Sequence, residues 1–253
     1  MIEKMVEVPT ADGKMDAFVV HPDEGGPFPS VFILMDIWGL REELFDVARR
    51  VAVTGYHCIL PNFWYRRGKI RFEFRNDKGQ MRSLLDLPQK VQDELHDNMN
   101  LVTDPMAMAD IRSVLNHLDG EPVRRGPKGS IGFCLGGRLG LAAAGHYPED
   151  FRATASLHGT RLVNETPDSP HLLADKFKGS IYCGFAEKDH WAPPETIAAM
   201  DKLMKGRDHV RYRAVVHAGT VHGYSLPDRD IYHKQSANRD WEHIFAMFKR
   251  ELN

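Results

Sequence analysis

The chain has 253 residues, of which 42% are hydrophobic and 27% charged, the proportions of a globular protein rather than a disordered or fibrous one. Lysine and arginine (33) nearly balance aspartate and glutamate (35), and the formal charge of −2 gives no basis for a nucleic-acid or anionic-membrane partner. An odd count of three cysteines argues against a disulfide framework and for a reducing, cytoplasmic setting. The opening Met-Ile-Glu-Lys-Met-Val-Glu has no apolar core of a secretion signal. No run approaches the roughly 18 apolar residues of a membrane helix.

In chain order, Lys4–Val8 and Met15–His21 alternate like two antiparallel strands joined by the turn Ala11-Asp-Gly-Lys14. Phe28–Met35 ends in a continuous apolar run, as in a strand buried on both faces. Arg41–Thr54 has helical spacing, closed by Gly55, and Tyr56–Leu60 is a strand stopped by Pro61-Asn62. Residues 63 to 100 are aromatic, basic and weakly periodic, and read as a long excursion over the sheet rather than core. Within them Arg66, Arg67, Lys69 and Arg71 form a local basic cluster, a solvated loop or an anion-contacting lid. Asp104, as N-cap with Pro105 behind it, opens a helix to about Leu118.

The alternation then becomes regular. Gly129–Phe133, Arg152–Leu157, Ser180–Phe185 and Val210–Val216 read as strands. Cys134–His146, Pro193–Met204 and Asp230–Leu252 read as helices. Strands alternating with helices require right-handed crossovers and a mostly parallel central sheet covered by helices on both faces, an α/β fold. No repeat or interdomain linker interrupts residues 1–253, which read as a single domain.

Ser130-Ile-Gly-Phe-Cys-Leu-Gly-Gly-Arg138 carries the chemistry. It sets Cys134 between an apolar strand and a helix in the pattern of a nucleophile elbow, G-x-Nuc-x-G. Gly132 and Gly136 relieve the clashes of a strained strand-to-helix turn, and Gly137 allows the helix to pack close to the sheet. The helix start behind the sulfur favours a thiolate. Cys58 and Cys183 lie inside apolar strands and read as core. An activated thiol needs a base, and the base needs an orienting acid, both at the carboxyl ends of strands. Asp189 follows one strand. His222 follows the last, with His190 and His217 as competitors for the base. The order nucleophile, acid, histidine is that of the α/β-hydrolase fold. Asp189 has the plainer alternative of capping the turn before Pro193, and Trp38 and Trp191 read as pocket walls or as packing.

Over nearly its whole length the chain resembles the dienelactone hydrolase family. The resemblance rests on Met35-Asp-Ile-Trp-Gly-Leu-Arg-Glu-Glu43, Gly55-Tyr…Leu60-Pro-Asn62, Gly132-Phe-Cys-Leu-Gly-Gly-Arg138, Ala186-Glu-Lys-Asp189 and His222-Gly-Tyr…Arg229. It implies Cys134 as nucleophile, Asp189 as acid, His222 as general base, and an oxyanion hole of the Ile37 and Leu135 amides. The family often has a glutamate that contacts and tunes the resting cysteine. Asp36 stands there, one methylene shorter. The family's type members hold a substrate carboxylate with arginines; Arg229 matches one, and Arg82 is the candidate for the other. Trp38 is a candidate pocket wall.

The expected function is cleavage of a small ester or lactone through an acyl-thioester, by a monomer or homodimer that partners neither nucleic acid nor membrane. No H-E-x-x-H or C-x-x-C occurs, so neither metal nor organic cofactor is expected. The rival from another class is a non-hydrolytic binding or redox-sensing protein built on the same reactive thiol. A closer rival keeps hydrolysis but changes the bond to a thioester or an amide.

Overall fold

Short apolar runs and amphipathic runs resolve into one eight-stranded sheet in the computed structural model, which describes residues 1–68, 70 and 72–253. The strands are β1 (Ile2–Thr10), β2 (Gly13–His21), β3 (Ser30–Leu34), β4 (His57–Pro61), β5 (Lys128–Phe133), β6 (Phe151–Leu157), β7 (Gly179–Lys188) and β8 (Val210–Val221). Their spatial order is β1-β2-β4-β3-β5-β6-β7-β8. The hairpin β1–β2 and the pair β2–β4 are antiparallel; every other neighbouring pair is parallel. The helices are α1 (Glu42–Ala52), α2 (Gln89–Asn100), α3 (Asp104–His117), α4 (Leu135–His146), α5 (Pro194–Met204) and α6 (Lys234–Leu252). This is the α/β-hydrolase arrangement that the sequence predicts.

The inner strands are buried on both faces because helices cover both. On one face α1 and α6 lie together, with the Arg50 guanidinium 4.4 Å from the Trp241 ring. On the other, α4 packs on β3, β5 and β6, with α3 beside it. Phe32 in β3 is fully buried and meets Phe151 edge-on at 5.0 Å and 77°. No helix among the described residues is long and apolar enough to cross a membrane.

Four sequence expectations need correction. Residues 63 to 100 are not merely a loop over the sheet. They contain α2 and an apolar cluster of their own, in which Phe72, Met81, Leu84, Leu87 and Leu95 close over Ile37 and Trp38. The N-cap of α3 is Thr103, whose Oγ1 accepts from the Met106 amide at 3.3 Å. Asp104 instead takes the first helical position and pairs with Arg138 at 2.9 Å. Strand β8 runs on to Val221, so His217 lies within it and His222 follows its end. Helix α6 starts at Lys234 rather than Asp230, because Asp230 is engaged elsewhere: its carboxylate accepts from the Ser83 amide and hydroxyl at 3.3 and 3.2 Å.

Of the basic cluster, Lys69 and Arg71 lie outside the described residues. Arg66 is bound to Asp110 and Asp12 at 2.8 and 2.7 Å, and Arg67 donates to Asn98 at 3.3 Å. These contacts make a structural brace of the described half.

Truncating Phe32 to Ala opens a void at the centre of the sheet and is expected to lower stability by about 3–5 kcal/mol in urea denaturation.

Candidate active site

The turn from β5 to α4 bends so sharply that Cys134 adopts φ 55° and ψ −115°, a strained conformation for a residue with a side chain. Small neighbours permit it. A Cβ on Gly132 would sit 1.9 Å from the carbonyl oxygen of Gly136, and one on Gly136 would sit 2.2 Å from that of Leu34. The start of α4 is thereby pressed against the ends of β3 and β5. Cys134 is anchored by its own amide, which donates to the Leu157 carbonyl at 3.0 Å. Cys134 lines a cleft at the carboxyl end of the sheet, a cavity of about 530 Å³. The other positive-φ residues besides glycine among the described residues, His158 (39°) and Arg161 (52°), lie at the same end of the sheet.

Asp189 is positioned by the Asp-His-Trp-Ala turn after β7. One carboxylate oxygen, Oδ1, accepts from the amides of Trp191 and Ala192 at 2.9 and 3.2 Å. The other, Oδ2, lies 2.7 Å from Nδ1 of His222. Turn capping and histidine binding are therefore both performed, one by each oxygen. Nε2 of His222 is buried and has no regular hydrogen-bond partner among the described residues. Burial pulls the His222 imidazole down, but the charge and weak hydrogen bond of the neighbouring Cys134 sulfur, together with Asp189, outweigh it and raise the ring to about 10.

The competitors are elsewhere. His217 is buried on Asp240, Nε2 to Oδ1 at 2.6 Å, in a network that also takes the hydroxyls of Tyr182 and Tyr224. His190 is exposed at the rim of the cleft. His158, which carried no functional expectation, packs edge-on against His222 at 5.0 Å and hydrogen-bonds Ser225 at 2.9 Å. Burial, and then the charge of His222, push His158 well below the ordinary histidine range, so it stays neutral.

The remaining site residues divide. Ile37 lies in the loop after β3 and lines the cleft, and Leu135 supplies the first amide of α4, which has no intrahelical acceptor. Trp38 is buried in the cleft wall, with the Arg229 guanidinium 5.4 Å from its ring. Arg229 is 5% exposed, lines the cleft, and its Nε has no partner among the described residues. Burial pushes its pKa down, against the favourable charge of Asp36. Arg82 is not brought to the cleft: its guanidinium turns back on the Asp86 carbonyl.

Asp36 borders the cleft, but both its oxygens are taken by Arg41, Nη1 to Oδ1 at 2.7 Å and Nη2 to Oδ2 at 2.9 Å. Its short side chain meets Arg41 rather than the thiol. Arg41 also reaches Asp228 through Nε at 2.8 Å, and Asp228 precedes Arg229 in the same loop. Burial opposes the charge of Arg41, but the two carboxylates override it. Beside them Glu43 is pushed up to about 7, by desolvation first and by the Asp228 charge second. The sequence expectation missed Arg41 as a site residue. Its only local sign was an arginine five positions after Asp36, read as the start of a helix.

Replacing Arg41 by Met strands two buried carboxylates and is expected to lower stability by about 3–5 kcal/mol in chemical denaturation at neutral pH.

A family model described as the dienelactone hydrolase family matches residues 15–252. Relatives named "Putative carboxymethylenebutenolidase" include one from Methylorubrum extorquens, 26% identical over 99% of this chain and 81% of that protein. Another, from Escherichia coli, is 26% identical over 99% of this chain and 88% of that one. Among solved structures, a "Putative Dienelactone Hydrolase" from Klebsiella pneumoniae subsp. pneumoniae superposes with a TM-score of 0.84, 23% identity and 98% coverage of both chains. A dienelactone hydrolase from Anabaena variabilis gives 0.66 at 14% identity, covering 100% of this chain and 99% of that one. With its α/β-hydrolase sheet and a family match across almost all its length, the chain is a hydrolase and belongs to the dienelactone hydrolase family.

Proposed function

We propose that the protein cleaves a small ester or lactone bearing a carboxylate, through Cys134 as nucleophile, in the manner that the names of its relatives suggest. The observation that carries this reading is the largely buried His222, held on Asp189 at 2.7 Å and interacting by charge and hydrogen bond with the strained elbow residue Cys134. The thiolate attacks the carbonyl carbon, and the oxygen takes the negative charge in front of the Ile37 and Leu135 amides, each worth roughly 3 kcal/mol. As the tetrahedral species collapses, His222 gives its proton to the departing alkoxide and a thioester remains. Water then enters, His222 accepts a proton from it, and the acid leaves with the thiolate restored. Arg229, buried without a hydrogen-bond partner at its Nε among the described residues, would take the substrate carboxylate. A reducing cytoplasmic setting, which keeps Cys134 free, belongs to the same proposal.

Cys134→Ala is expected to abolish hydrolysis of p-nitrophenyl acetate and of a dienelactone while leaving the urea midpoint within about 1 kcal/mol of wild type. Retained turnover would remove the thiol from the mechanism. Reversible oxidation of Cys134 with no hydrolysis of any ester would favour a redox-sensing role.

The pH profile of kcat/KM gives an independent check. The raised His222 holds its proton in the folded protein at neutral pH and gives it up as pH rises through about 10. An alkaline limb near that value is expected; a limb near pH 7 would mean that thiol and imidazole are not paired.

A further inference from the structure

Four neighbouring parallel strands end at the site. Cys134 follows β5, Asp189 follows β7 and His222 follows β8, while β6, between the first two, ends at Leu157. The residue after it, His158, is 1% exposed and left-handed at φ 39°, a conformation that a side chain keeps only where its surroundings hold it. We propose that His158 is a positioning residue for the base, its ring and its tie to Ser225 fixing the direction in which His222 points. The proposal rests on the hydrolase reading above and adds a residue to its machinery.

The hydrogen bond between Asp189 and Nδ1 is a single contact, about which the His222 ring can still rock. A second support is needed to keep the ring in one orientation, because proton transfer falls steeply with small misplacement. His158 lies edge-on to that ring, 5.0 Å away at 71°. It is itself fixed at both ends. The peptide unit joining Leu157 to His158 accepts from the Cys134 amide at 3.0 Å and donates to the Gly184 carbonyl at 2.7 Å. The nucleophile's elbow and the acid's strand thus meet at the backbone of His158. Its Nε2 hydrogen-bonds the buried Ser225 hydroxyl at 2.9 Å. Ser225 stands three residues beyond His222, across Gly223 at φ 93°, so one side chain braces both the ring of the base and its loop. A phenyl ring would fill the same space without burying an Nδ1 that has no partner among the described residues. The bond to Ser225 is therefore what a histidine contributes here.

The groups facing the two rings set the sign of the test. Burial pulls His222 down, and Cys134 and Asp189 raise it to about 10. Burial foremost, then the charges of His222, Arg229 and Arg41, keep His158 neutral, so it sets no charge against His222. Phe133 and Tyr224 are also against His158. A His222 ring that swings away from Cys134 and Asp189 loses the interactions that raise it and titrates lower.

The test compares Ser225→Ala, His158→Phe, the two combined, and His158→Ala. It measures p-nitrophenyl acetate hydrolysis and an NMR titration of the His222 ring, which needs no substrate. In Ser225→Ala and His158→Phe kcat is expected to fall roughly tenfold with KM within about twofold, and the combined variant no further than either. His158→Ala removes the ring as well and is expected to lose roughly 100-fold, so His158→Phe recovers part of that loss. In each, the His222 titration is expected to move from about 10 to below about 9. Ser225→Ala removes a single oxygen and keeps the test open if a His158 variant does not fold. Unchanged kcat and His222 titration, or a loss of urea stability alone, overturns the proposal. Turnover retained in Cys134→Ala overturns the thiol mechanism, whereas a wild-type His222 titration in Ser225→Ala overturns this proposal alone.

Discussion

The close approach of two glycine backbones, Gly132 and Gly136, is the constraint on which the site depends. At 1.9 Å from the Gly136 oxygen there is no room for a Cβ on Gly132, and the same is true of Gly136 against Leu34. That contact lets the chain leave β5 and enter α4 with Cys134 at positive φ, a conformation costing roughly 1–3 kcal/mol that the buried sheet on either side offsets. It also aligns the end of β3 with the start of α4. The Ile37 and Leu135 amides thus belong to segments fixed against each other by backbone, not by side chains free to rotate.

Around this elbow the buried charges are sorted into closed and open sets. Asp189 is closed, one oxygen on two amides and the other on His222. Arg41 closes a second set by holding Asp36 and Asp228 together. Because Asp36 is used there, its neighbour Arg229 receives charge compensation only through space. A glutamate in place of Asp36 has the reach to be shared differently. The shorter side chain therefore changes the electrostatics of the cleft as well as its shape.

What was legible in the sequence was local. A strand, a glycine-flanked cysteine and a helix start are adjacent in the chain, so the elbow could be read directly, and the strands before Asp189 and His222 followed from hydrophobic period, although they run on past the predicted ends to Lys188 and Val221. Partners distant in sequence could not be read. Arg41 and Asp228 are 187 positions apart, and nothing at either end names the other. Helix α2 was obscured because its apolar residues, Val91, Leu95 and Met99, are single and four apart within a polar run. Arg82 had the right residue type near the right element, but its side chain found a carbonyl four residues away before it found the cleft. The capping of α3 turned on one position, because Thr103 and Asp104 both suit an N-cap and only backbone geometry chooses between them.

The apolar cluster beneath residues 72–99 shares no buried member with the main core. Two hydrophobic units of unequal size meet at the cleft, joined by contacts such as the hydrogen bond from the Met81 amide to the Asp228 carbonyl at 2.7 Å. The smaller cluster has less apolar burial to lose on opening than the sheet does, and Met99 packs against both. A molecule that bridges Trp191 and Leu84 contributes contacts to the smaller unit, so occupancy of the cleft and local order of Gln89–Asn100 rise together.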